Sequence, residues 1–62
     1  MPVVIIHFRG KRTREELRAL AKNVTNAVVE SFGGDPEGVH IHMVEKEPDH
    51  IATGGVLLSD KQ

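Results

Sequence analysis

The 62-residue chain contains no cysteine, which excludes both a disulfide framework and a thiolate zinc site. Tryptophan and tyrosine are also absent, and Phe8 and Phe32 are the only aromatic residues, so there is no series of rings on which nucleic-acid bases could stack. Eight Lys+Arg against nine Asp+Glu give a net charge of -1, which does not make a phosphate-tracking surface. Nucleic acid is therefore not expected as a partner. No apolar run approaches the roughly 20 residues of a membrane span, and no basic stretch leads into an apolar one with a small-residue cleavage site. No membrane partner is expected, and the expected location is cytoplasmic. A chain below about 70 residues rarely builds a sufficient core alone. With disulfides excluded, self-association is the expected remedy.

What is present has a clear order. Val3 to Phe8 (VVIIHF) is a continuous β-branched and apolar run, the pattern of a strand covered on both faces. Thr13-Arg14-Glu15-Glu16 matches a capping box and predicts that a helix starts there. Leu17, Leu20, Ala21, Val24, Ala27, Val28 and Phe32 follow at three- and four-residue steps as one apolar stripe. Gly33-Gly34 and Asp35-Pro36 end the helix. Val39 to Glu45 alternates, with Val39, Ile41 and Met43 on one face and His40, His42 and Val44 on the other. Strand, helix and strand in this order predict a βαβ unit with parallel strands and a right-handed crossover. Gly54-Gly55 between Ile51-Ala52-Thr53 and Val56-Leu57-Leu58 predicts a terminal hairpin whose apolar arms need a neighbouring subunit to cover them. The expected fold class is thus α/β (α+β), one domain over residues 1–62.

Charge is unevenly spread. Arg9, Lys11, Arg12, Arg14, Arg18 and Lys22 place six of the eight cations within fourteen residues, whereas seven of the nine acids lie from Glu30 onward. That asymmetry suggests a local anion site. Pro2 follows Met1 directly, and an initiator methionine is normally removed before a small residue. The mature chain is then expected to begin with a proline whose nitrogen is a free secondary amine, a base that no internal proline offers.

Taken together, Pro2 opening a strand with Ile6-His7, Arg12 before a Thr-capped helix, a second strand from Val39, and the tail Asp49-His50-Ile51-Ala52-Thr53-Gly54-Gly55 with Leu58-Ser59-Asp60 resemble the 4-oxalocrotonate tautomerase family of the tautomerase superfamily. The resemblance spans essentially the whole chain. It implies the tautomerase fold assembled as a homohexamer, a trimer of dimers with active sites at subunit boundaries and no cofactor or metal. It also implies an isomerase in which Pro2 is the general base and Arg12 holds the carboxylate of an enol or dienol 2-oxo acid, with Phe8, His40 and Ile51 shaping the substrate pocket. A base works best when its pKa lies near ambient pH. Apolar burial beside Val4, Ile6 and Phe8 and nearby cations both favour the neutral amine. Arg12 can grip a carboxylate with two parallel hydrogen bonds. Arg9, Lys11 and Arg14 read as flanking surface charges, with Arg9 adding to the field.

Two positions depart from the family pattern. His40 stands where the family carries a second arginine for the substrate's 2-oxo and carboxylate oxygens, and Ile51 stands where it carries an aromatic residue. A neutral imidazole donates one hydrogen bond and cannot clamp a carboxylate. The diacid 2-hydroxymuconate is therefore not expected as a preferred substrate, and a monoacid enol such as phenylenolpyruvate or a 2-hydroxydienoate is at least as plausible. The loss at position 40 also motivates an alternative, a non-catalytic or partner subunit of a mixed oligomer. A further alternative, a metal- or anion-binding module, would use His40 and His42 with His7 or His50. Dehalogenase and decarboxylase relatives share the proline, and Glu45 and Glu47 are the acids open to such chemistry.

Overall fold

The computed structural model describes residues 2–61, so the expected loss of Met1 falls outside the described residues. β1 (Val3–Arg9) leads to α1 (Arg14–Phe32), then β2 (His40–Lys46), then the short strands β3 (Ala52–Thr53) and β4 (Val56–Leu57). Single 3-10 turns occupy Pro36–Gly38, Pro48–His50 and Leu58–Lys61. β1 and β2 pair in parallel, from Val3 opposite His40 to Arg9 opposite Lys46. β3 and β4 form the antiparallel hairpin. The second strand begins one residue later than its alternation suggests, because Val39 caps the preceding 3-10 turn through its N–H to the Pro36 carbonyl at 3.1 Å.

Local chemistry accounts for the boundaries. Thr13 Oγ1 accepts from the Glu16 N–H at 3.1 Å, and Glu16 Oε1 accepts from the Thr13 N–H at 2.9 Å, so both arms of the capping box are closed. The Thr13 N–H, helped by the Arg12 charge, holds the Glu16 carboxyl below its ordinary value. A carboxyl depressed in the folded state stabilises fully above its unfolded pKa, and that contribution is lost as pH falls through the lowered value. Thr13→Ala removes the hydroxyl that caps the Glu16 N–H and is expected to cost about 1 kcal/mol in thermal unfolding, at neutral pH and in acid alike, because the backbone N–H at position 13 that holds the Glu16 carboxylate is retained. At the other end Gly33, with φ 80°, donates its N–H to Val29 O at 2.7 Å. Gly54 and Gly55, at φ 61° and 84°, take the two left-handed positions of a two-residue hairpin loop.

The pleat sorts β1 into two faces. Val4, Ile6 and Phe8 are half-buried towards α1, where they meet the half-buried Leu17, Leu20, Ala21, Val24 and Val28 of the helix stripe. Ala27 and Phe32, expected in that stripe, are exposed. Ala27 sits just outside the covered arc. Nineteen helical residues run about 28 Å against about 23 Å for seven strand residues, so the last helical turn carrying Phe32 overruns the sheet.

The opposite sheet face has no cover within the chain. Val3 is 57% exposed and Ile5 60%, although the unbroken apolar run predicted cover on both sides. Among the described residues none is fully buried. The body measures 44 × 25 × 13 Å with a radius of gyration of 14.9 Å, where a compact chain of this length has about 11 Å. It exposes 4934 Å², against about 4,000 Å² for a compact monomer of its mass. One copy is a thin plate with an uncovered sheet face that exposes Val3 and Ile5 among His7, His40 and His42, a condition that favours association of copies.

Candidate active site

The five residues singled out from the sequence fall into two groups at opposite ends of β1. Pro2 and His40 lie at the start. Val3 pairs with His40, and the His40 N–H donates to the Pro2 carbonyl at 3.0 Å, so the backbone just behind the Pro2 nitrogen is anchored to β2. Alternation puts the exposed His40 side chain on the open face with Val3, whereas Pro2 shares the parity of Val4.

Phe8, Arg12 and Ile51 lie at the other end. Arg12 lines a pocket of about 230 Å³ with Ile6, Phe8, Glu16, Leu17 and Leu20, under the start of α1, where the Thr13 N–H engages the Glu16 carboxylate. The free N–H groups of a helix start carry partial positive charge and favour an anion beside Arg12. Ile51 lines a separate, larger cleft of about 550 Å³ beyond the ends of β1 and β2. The hairpin presents Ile51 there because the Leu58 N–H donates to the Ile51 carbonyl at 2.7 Å, closing the base of the loop. Phe8 lines both spaces.

The two groups are too far apart to share a small substrate within one chain. Phe8 lies six residues beyond Pro2, about 20 Å along a strand. Even Ile6, the residue of the Arg12 pocket nearest to Pro2, is about 13 Å away by the same measure. Within one chain Pro2 and the Arg12 pocket therefore remain two separate groups.

The larger cleft also holds residues outside the set expected to bind substrate. Arg9, expected as a flanking surface charge, lines it, as do Lys46, His50 and Leu58. Lys46 had no signal in the sequence, because only the strand register puts it opposite Arg9. His7, His40 and His42 are exposed along one face of the sheet, and His7 and His50 both line the cleft. Among the described residues no three His, Asp or Glu side chains gather as a metal-binding group. No helix among them is long and apolar enough to cross a membrane.

Comparison with known proteins adds an independent line. Residues 2–61 match the family model Tautomerase, described as "Tautomerase enzyme". The "Probable tautomerase" of Halalkalibacterium halodurans is 38% identical over 61 residues, covering 98% of this chain and all of that protein. The "Probable tautomerase" of Bacillus cereus is 41% identical over 61 residues with the same coverage. Among solved structures, YwhB, a homologue of 4-oxalocrotonate tautomerase, superposes with a TM-score of 0.89 at 36% identity, covering 98% of this chain and 100% of that one.

Proposed function

Since the chain belongs to the tautomerase family, which carries a tautomerase-type isomerase activity, we propose that it is a cofactor-independent tautomerase of the 4-oxalocrotonate tautomerase type acting on enol 2-oxo acids. Residues 1–62 make up one tautomerase domain that starts at Pro2 after loss of Met1. The observation that carries this reading is the division of the candidate residues into two half-sites on a plate with one sheet face uncovered. Such a plate supplies dry, shared pockets only on association, and the homohexamer is the assembly that completes them.

In the assembled site the Pro2 nitrogen takes the proton of the enol hydroxyl and returns it to a carbon farther along the conjugated system, leaving the ketone. Nothing else is consumed or released. Arg12 binds the substrate carboxylate and draws electron density toward it as the proton moves. Burial at the subunit boundary keeps the amine neutral and ready.

Ketonisation of phenylenolpyruvate, followed by its ultraviolet absorbance, tests the reading. Protein whose intact mass shows that Met1 is gone is expected to be active. A chain extended by residues ahead of Pro2 is expected to be inactive, because an amide nitrogen is not a base. Activity equal in both forms would remove Pro2 from the mechanism. A correctly processed oligomer inactive on every enol would favour the partner-subunit reading that His40 suggests.

A further inference from the structure

We propose that the open face of the β1–β2 sheet is a contact between copies of this chain that mild acid dismantles, with His7, His40 and His42 taking up the protons. The inference rests on the self-association of the reading above. It adds which face meets its like and what releases it.

Register and alternation gather the three imidazoles. Val3 pairs with His40, Ile5 with His42 and His7 with Val44, and these six residues share one side of the sheet, with Arg9 and Lys46 following at its end. Val3, Ile5, His7, His40 and His42 are all exposed, whereas α1 lies on the other side with Val4, Ile6 and Phe8. The rest of the chain reaches this face at its far end, where His7, Arg9, Lys46 and His50 line the cleft. Apolar side chains and imidazoles thus occupy most of the face, and its permanent charges stand at one edge.

A second copy is the occupant that the surface calls for. The chain exposes 4934 Å², about 900 Å² more than the roughly 4,000 Å² of a compact monomer of its mass. A stable pair of proteins removes about 800 Å² from each partner. The surplus of one copy is therefore what one such contact buries.

Two of these faces in contact withdraw their imidazoles from water, where the charged form is disfavoured. The charged groups around them act in the same direction. These are Arg9 on β1, Lys46 on β2, His50 beside His7 in the cleft, and the same set again on the second copy, all of them basic. No acid answers them. Glu45 alternates to the helix side, no acidic residue lines the cleft, and the only ion pair among the described residues is Arg18 with Glu15 at 2.7 Å on α1. Imidazole is the side chain that ordinarily changes charge between pH 5 and 8. Separated copies accept protons that joined copies refuse, so the contact holds at higher pH and weakens as pH falls through that range. Assembly, and with it any shared site, becomes conditional on near-neutral pH.

Sedimentation velocity and native mass spectrometry of the full chain between pH 8 and 5.5 test this, a range in which ordinary carboxylates stay ionised. The wild type is expected to be assembled at pH 8 and to dissociate towards pH 5.5. Its dissociation constant rises about tenfold per pH unit for each proton taken up. The His7→Gln, His42→Gln double variant is expected to stay assembled to lower pH. Ile5→Lys puts a fixed charge on the face and is expected to be dissociated already at pH 8, with its helix retained by circular dichroism. A wild-type mass unchanged from pH 8 to 5.5 overturns the switch, and so does a double variant that dissociates at the wild-type pH. If the double variant does not assemble at pH 8, the wild-type slope decides, and uptake of less than one proton per copy overturns the proposal. An Ile5→Lys chain that assembles like the wild type removes this face as the contact. A chain that switches as expected yet ketonises no enol keeps the contact and loses the tautomerase reading. One that is monomeric at pH 8 yet active does the reverse.

Discussion

Replacing Pro2 with alanine is expected to lower kcat/KM for enol ketonisation by about 10²-fold or more, the usual worth of a positioned general base. Alanine is small enough for Met1 to be removed from that variant too, so an amine still stands at the start of the chain. It is a primary amine, free to rotate about its bond to Cα, whereas the proline nitrogen is held in a ring. That ring continues into a backbone already anchored by the His40 N–H at 3.0 Å from the Pro2 carbonyl. The variant therefore loses orientation as well as the secondary amine, while the oligomer is retained. The pH profile supplies a second readout. The base works unprotonated, so activity falls as pH drops through the amine pKa, and the alanine variant moves that limb. Equal kcat/KM and an unmoved limb would show that Pro2 is not the base.

The second large effect is a recovery. Arg12→Ala is expected to be as damaged as Pro2→Ala, about 10²-fold, through loss of carboxylate binding and of the charge that pulls on the conjugated system. Mixed by unfolding and refolding together, the two inactive chains are expected to regain activity. Pro2 and the Arg12 pocket are about 13 to 20 Å apart along β1, so a working site draws its proline from one copy and its arginine from another. In a random one-to-one mixture about a quarter of the sites then combine an intact Pro2 with an intact Arg12 across a symmetric interface. A site built within a single chain recovers nothing. Absence of recovery in mixed oligomers verified by native mass spectrometry would overturn the shared site.

Much of the fold is legible because its determinants are local. A capping box needs residues three apart, the helix stripe needs only a helical period, and a two-glycine loop needs only backbone freedom at Gly54 and Gly55. Phe32 and Ala27 show the limit of periodicity. It identifies an apolar stripe but not the length of sheet beneath it, nor the edge of the arc that the sheet covers. The strand Val3–Arg9 shows another limit, since its pattern describes a strand covered on both faces and a lone chain covers one.

The candidate site divides along the same line. The sequence by itself determined which groups are at hand: an expected terminal amine at Pro2, a guanidinium at Arg12 before a capped helix, an apolar Ile51 on a hairpin, and an imidazole at position 40 in place of a second guanidinium. These are matters of residue type and short spacing. The tertiary structure alone decided who stands beside whom. The register that sets Val3 against His40 sets Arg9 against Lys46 at the far end, 37 residues apart in both cases. Such a pairing depends on where α1 returns the chain to the sheet, a distance that no local pattern encodes. Strand length then keeps Pro2 and the Arg12 pocket apart within one chain, and one helix leaves one sheet face uncovered.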